Sequence, residues 1–306
     1  MASTLRPLLE EGRIAAVAAW GLAAETFHEW SDDDATRLAA SLAYYTTFSI
    51  APLLVVVIAL AGLLFGREAV QGEIVHQVAA VVGRDGGKAI QELIANASKP
   101  ASSVAASVVG FVVLLFGASG VVAELKASLN KIWDVPPAAT GLMALLRERL
   151  LSFALVLGVG FVLLVSLAIN TALAAAGSLL RGDAAQTAVL WMAVTFVVTL
   201  AIETGLFSLM FKVLPDTEVA WADVWIGAMV TAALFELGKL VVGIYLGQAG
   251  IASAYGAAGS LVVVLVWVYY SAQLLFLGAE FTHVYARRHG RARPSIPAAR
   301  ARRPLD

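Results

Sequence analysis

The chain has 306 residues, of which 60% are hydrophobic and only 14% are charged, and its mean hydropathy is +0.83. A soluble domain carries roughly a quarter of its residues as charged side chains, so this composition excludes an ordinary soluble protein. The net charge of −1 says little because the charges are sorted by segment, and the absence of cysteine excludes disulfides and thiolate chemistry.

The N-terminal segment, residues 1–41, is predicted to be a cytoplasmic amphipathic segment. Its apolar patch IAAVAAWGLAAETF follows Arg13 and is too short to span a membrane, so we expect a helix lying in the membrane interface. The acidic stretch SDDDATR follows this patch. Ser31 with Asp34 three residues later is typical of an N-terminal helix cap, which favours a helix start there over a metal site.

Long apolar runs dominate the rest of the chain. A helix of about 20 apolar residues crosses a ~30 Å hydrocarbon core, and these runs are too long and too uniform for strands. We therefore predict an all-α polytopic membrane protein with six transmembrane helices and additional interfacial amphipathic helices. The membrane domain is residues 42–282, and the predicted spans are 42–66, 101–117, 149–172, 187–211, 224–247 and 259–281.

The first predicted span begins with hydroxyl side chains and contains a proline. Ser41, Tyr45, Ser49 and Pro52 fall close to one helix face. Pro52 removes one backbone hydrogen bond, so the freed carbonyl group must find a partner outside the helix. These residues are candidates for the lining of a cleft, and the alternative is that the hydroxyls hydrogen-bond neighbouring helices.

The basic residues predict the orientation. With six spans, 15 Lys and Arg residues fall in segments on the side of the termini and five in segments on the other side. The positive-inside rule then favours a multi-pass protein with both termini in the cytoplasm. Residues 67–100 become an external segment, in which apolar residues at helical spacing on both sides of GRDGG predict a helical hairpin.

Three ionisable residues lie well inside predicted spans: Glu203, Glu236 and Lys239. A charge at the centre of a span costs about 2.5–3.5 kcal/mol on insertion scales, so such residues face the interior of the bundle and mark functional sites by default. The spacing of Glu236 and Lys239 places them on one helix face, with Glu203 as a third member. The alternative is a structural ion pair. Glu280, near the end of the last span, is interpreted as an interfacial anchor.

Four stretches of the sequence carry a family resemblance. They are AASLAYYTTFSIAPLL, GASGVVAELKASLNKIWDV, FKVLPDTEVAWADVWIGA and YGAAGSLVVVLVWVYYSAQLLFLGAEFTHVY. In this order they resemble the signature blocks of the YihY / virulence factor BrkB family, over about residues 25–285. The resemblance implies a bacterial inner-membrane protein with six spans and cytoplasmic ends, and it supplies no mechanism.

The same family has carried the label ribonuclease BN. Hydrolysis of RNA needs a metal held by His and acidic ligands, or a His acid/base pair. The four histidines of this chain form no cluster of the H-x-E-x-H type. We therefore expect that the protein is not an enzyme and has no cofactor and no metal.

The C-terminal segment, residues 283–306, is rich in Arg and Pro and is predicted to be a disordered cytoplasmic tail. Its expected partners are membrane lipids with anionic headgroups rather than a specific nucleic acid. The candidate lipid contacts are Arg287, Arg288, Arg291 and Arg293. The sequence identifies no protein partner and no oligomeric state.

The residues favour a transporter or lipid translocator with a polar site inside the membrane. The alternative is a non-catalytic envelope scaffold that organises partners through the 67–100 hairpin, and a membrane ribonuclease is the least favoured function.

Overall fold

The structure, a computed structural model, describes residues 2–82, 84–97, 120–136, 185–248 and 259–289. Every regular element in these ranges is an α-helix, as predicted. The helices are α1 (Ala2–Asp32), α2 (Ala35–Phe65), α3 (Arg67–Val82), α4 (Arg84–Ala97), α5 (120–132), α6 (Ala185–Val213), α7 (Trp221–Gln248) and α8 (Gly259–Arg288).

Among the residues that the structure describes, three helices are long and apolar enough to cross a membrane: Trp191–Val213, Trp221–Val242 and Leu261–Arg288. They coincide with the last three predicted spans. The first predicted span, 42–66, lies in α2, whose helix continues through Pro52. The predicted spans 101–117 and 149–172 lie outside the described residues, so the total of six stays a prediction.

Helices α6, α7 and α8 form the centre of the bundle, in which α7 packs on both of the others. Thr231 of α7 meets Gly278 of α8, and Gly227 of α7 meets Thr282 of α8. Because residue numbers rise along one helix as they fall along the other, the two helices are antiparallel. The glycines allow the backbones to approach closely, which is typical of membrane helix packing.

The outer surface of these helices is apolar. Met192, Phe196, Leu237, Leu240 and Val241 are all exposed. Large apolar side chains at this density are unfavourable in water and suit contact with lipid tails.

The polar end of the bundle is defined by the start of α2, the loop after α6 and the end of α8. Here α5 packs through its apolar stripe Leu125, Leu129 and Ile132, which is buried. Asn130 donates a hydrogen bond to Asp216 Oδ2 at 2.9 Å and accepts one from the Asp216 backbone N–H at 2.8 Å. Helix α5 is therefore tied to the loop between α6 and α7.

The opposite end of the bundle carries α3 and α4, which pack on each other, on α2 and on α8. Their apolar faces meet in one cluster that includes Val70, Ile90 and Ile94 together with Ile58 of α2. Residues 67–97 thus form two packed helices, and their position outside the membrane stays a prediction.

The connection between α1 and α2 is a two-residue turn in which Asp34 has a left-handed backbone with φ 54°. The predicted cap is wrong: Ser31 lies in the last turn of α1, and Asp34 makes no side-chain capping hydrogen bond to α2. The acidic residues lie both at the end of α1 and before the start of α2. Composition alone does not show which of these two positions an acidic cluster takes.

A candidate polar site inside the membrane-spanning helices

Lys239 joins the two carboxylates that the sequence places inside spans. Its Nζ atom lies 2.7 Å from Glu236 Oε1 on the same helix and 2.8 Å from Glu203 Oε1 on α6. The i, i+3 spacing of Glu236 and Lys239 puts them on one face of α7, and that face packs on α6. The structure therefore brings all three predicted residues together.

The cluster lies near the middle of α7. Glu236 is 15 residues after Trp221, so at about 1.5 Å per residue it is ~22 Å along a helix ~42 Å long. The three side chains are largely buried, with 17% of Glu203, 19% of Glu236 and 24% of Lys239 exposed. The Phe235 ring, 5.9 Å from Lys239 Nζ, covers part of the ammonium group.

One cation faces two carboxylates in this cluster, which leaves it with a net charge of −1 when all three groups are ionised. Glu203 Oε2 is buried and has no hydrogen-bond partner among the described residues. A buried carboxylate oxygen without a donor is costly, so the cluster is suited to accept a further positive group.

The predicted cleft-lining residues of α2 have different environments. Ser49 is 3% exposed, Tyr45 is exposed, and both lie beside Gly120 of α5. The neighbouring threonines satisfy their own hydroxyls, since Thr46 donates to the Leu42 carbonyl and Thr47 to the Ala43 carbonyl. The side chain of Pro52 lies outside the described residues, and the cleft stays a prediction.

Two of the candidate lipid-binding arginines contact α1. Arg287 donates to Glu25 Oε1 at 2.6 Å and to Glu29 Oε1 at 2.5 Å. Arg288 donates to Glu25 Oε2 and to the Gly21 carbonyl. These bonds hold α1 on the end of α8 and lower the pKa of Glu25 below its ordinary value.

The remaining two of these arginines, Arg291 and Arg293, lie outside the described residues, and lipid contact by all four stays a prediction.

Glu280 is a site residue whose environment the sequence did not predict. Its side chain is 0% exposed, so the interpretation as an interfacial anchor is wrong. Neither carboxyl oxygen is bonded to an N–H or hydroxyl group of the described residues. The group that faces it is the carboxyl of Asp33, in the turn between α1 and α2. Burial in this contact raises the pKa of Asp33 above its ordinary value, and the charge of Lys131 opposes the rise.

The histidines are dispersed in the described part of the chain. His28 pairs with Asp32 at 2.9 Å on the surface, whereas the buried His283 ring packs on Trp133 with centroids 5.0 Å apart. No group of three His, Cys, Asp or Glu side chains in the described ranges is arranged to hold a metal ion.

Long apolar helices packed through glycines around a charged cluster define an α-helical membrane protein. The sequence profile of the family described as Virulence factor BrkB matches residues 26–303, and the chain belongs to this family. The resemblance read from the four sequence blocks is thereby confirmed.

Curated relatives are also named as membrane proteins. A UPF0761 membrane protein of Psychrobacter sp. (strain PRwf-1) is 28% identical over 82% of this chain and 46% of its own length. Those of Verminephrobacter eiseniae and Alcanivorax borkumensis are 28% and 27% identical over 86% and 88% of this chain, and 62% of their own lengths. The chain thus spans about half to three-fifths of these relatives. No solved structure matches it.

Proposed function

We propose that this protein is a transporter of the lipid-translocating type, with the Glu203–Glu236–Lys239 cluster as its site. The observation that carries the proposal is the position of this cluster: three charges shared by two packed spans, near the middle of α7 and beside exposed apolar residues. Charged groups in spans mark transport pathways more often than they serve packing alone.

The charge balance of the cluster favours a cationic group as its ligand. The Oε2 atom of Glu203, which Lys239 does not contact, is suited to the ammonium group of a phosphatidylethanolamine headgroup, which also carries a phosphate that Lys239 can bind. Leu240 and Val241, both exposed, lie next to Lys239 in the sequence of α7 and provide an apolar surface for acyl chains. A zwitterionic headgroup thereby finds both signs of charge in one place.

The proposal includes the bacterial inner membrane as location, with both termini in the cytoplasm. Supporting it is the charge count of the predicted loops, which places the polar end of the bundle inside. It assigns no catalytic step to the protein.

The test is transfer of fluorescent phosphatidylethanolamine between leaflets in proteoliposomes. Wild type is compared with the double variant Glu236→Gln/Lys239→Met. These changes remove one negative and one positive charge and keep side chains of similar shape. The matched control is Lys126→Met/Asp216→Asn, which removes an ion pair with a 2.8 Å contact at the polar end of the bundle. Melting temperatures in detergent are measured for every variant.

We expect the wild type and the control to transfer lipid and the Glu236/Lys239 variant to lose transfer while still melting cooperatively. Undiminished transfer by that variant would remove the cluster from the mechanism. Absence of transfer by the wild type would overturn lipid translocation altogether.

The alternative function is a scaffold for envelope partners, and the α3–α4 pair favours it. Its apolar face is buried against the bundle, whereas Lys88, Gln91 and Glu92 on its other face are exposed. If a deletion of residues 67–97 abolishes the role of the protein in the cell envelope while lipid transfer persists, the scaffold function is favoured.

A further inference from the structure

The buried Glu280 has an environment that suits a neutral acid better than an anion. An ionised carboxylate needs donors or a cation, and Glu280 has no donor at either oxygen among the described residues. A protonated carboxyl group instead needs one acceptor for its O–H. The carboxylate of Asp33 faces it and supplies that acceptor.

The groups around this pair favour a negative charge on Asp33 over one on Glu280. Lys131 of α5 donates to the Asp33 carbonyl oxygen, and its Nζ atom is 3.9 Å from Asp33 Oδ1. The cations near this end of α8 are already directed to carboxylates of α1, Arg287 to Glu25 and Glu29 and Arg288 to Glu25. Lys131 therefore stabilises an ionised Asp33, and no comparable cation among the described residues compensates Glu280.

Two further carboxylates near Glu280 oppose a second negative charge, and the nearby histidine is held by an aromatic contact. Glu29 on α1 and Asp134 after α5 are carboxylates that act on it, and His283 of α8 is packed against Trp133. Loss of the proton would place Glu280 beside several negative charges in a water-excluded contact.

We propose that Glu280 and Asp33 share one proton, which holds the turn between α1 and α2 against α8 and is released as the pH rises. In the protonated state, the O–H group of Glu280 donates a hydrogen bond to a carboxylate oxygen of Asp33. On deprotonation the proton passes to solvent and two like charges remain in contact. The polar end of the bundle then opens between α8 and the α1–α2 turn.

The first measurement is the infrared C=O stretching band of a protonated carboxylic acid in the purified full-length protein. At neutral pH we expect this band in wild type and its loss in Glu280→Gln. The control Glu29→Gln should keep the band, since Glu29 is bonded to Arg287 and not to Glu280. Identical wild-type and Glu280→Gln spectra in this region would overturn the shared proton.

A second variant tests the pairing independently, in case Glu280→Gln misfolds. Asp33→Asn keeps an acceptor for the Glu280 proton but removes the neighbouring negative charge that opposes ionisation of Glu280, so the band should disappear at lower pH than in wild type. A band that titrates at the same pH in both proteins would contradict the pairing of these two residues.

The opening is measured as a distance between two spin labels. The chain has no cysteine, so labels at Thr36→Cys and His289→Cys, both on exposed positions, are unambiguous. We expect the distance to increase over the pH range in which the band disappears, and to stay constant in Glu280→Gln. A constant distance in wild type through that range would overturn the coupling.

Discussion

Thr231 of α7 fills the space that a side chain at Gly278 of α8 would occupy. A Cβ atom placed on Gly278 would lie 2.7 Å from Thr231 Cγ2 and closer still to its Oγ1. The same contact is repeated one turn away with the roles exchanged, since Thr282 of α8 fills the space over Gly227 of α7. Each threonine hydroxyl donates to a carbonyl of its own helix, at 2.7 Å.

This contact predicts that Gly278→Ala destabilises the bundle. Overpacking a close contact costs about 1–3 kcal/mol, and the branched Thr231 side chain has little room to move. We expect a lower melting temperature in detergent, and a similar effect for Gly227→Ala.

Gly205→Ala on α6 is the matched control, because nothing lies within 4 Å of its added methyl group. Alanine is favoured over glycine inside a helix by up to about 1 kcal/mol, so this variant should be as stable as wild type or more so. Equal losses at Gly205 and Gly278 would show that the threonine contact is not the cause.

The charged cluster predicts that removing its cation alone is worse than removing all three charges. In Lys239→Met the carboxylates of Glu203 and Glu236 face each other without compensation, and breaking a buried ion pair costs about 3–5 kcal/mol. Neutralising all three in Glu203→Gln/Glu236→Gln/Lys239→Met leaves no uncompensated charge. Unfolding in mixed detergent should therefore show that the single variant is less stable than the triple variant. The reverse order would contradict the contact of Lys239 with both carboxylates.

Parts of this cluster could be predicted from the sequence and parts could not. The spacing of Glu236 and Lys239 fixes their common face because helix geometry is local. The contact with Glu203 depends on how α6 is rotated against α7, which the sequence leaves open. Glu280 illustrates the limit: its burial results from α5 and the α1–α2 turn closing over α8, and no local pattern in any of these segments indicates that assembly.

The lowered pKa of Glu25 predicts a stability loss in acid. A carboxyl group whose folded-state pKa is lowered stabilises the fold above its ordinary pKa, about 4.3 for Glu, and loses this contribution as the pH falls through the lowered value. The melting temperature of wild type should therefore fall more steeply below that pH than that of Glu25→Gln.

The effect should be small, because the pair is partly exposed and surface ion pairs contribute at most about 1 kcal/mol. Glu92→Gln on the exposed face of α4 serves as control and should keep the wild-type acid profile. Parallel profiles of wild type and Glu25→Gln would mean that the arginine contacts contribute nothing to stability.

The two ends of the bundle predict opposite labelling of two introduced cysteines. Glu218 is in the loop tied to α5 at the polar end, and Lys88 is on α4 at the other end; both are exposed. The charge count predicts that the polar end lies in the cytoplasm. A membrane-impermeant thiol reagent should therefore modify Lys88→Cys in cells with a permeable outer layer, and Glu218→Cys only after the inner membrane is opened. Reversed labelling would invert the orientation, whereas labelling of both from one side would contradict the separation of the two ends by the membrane.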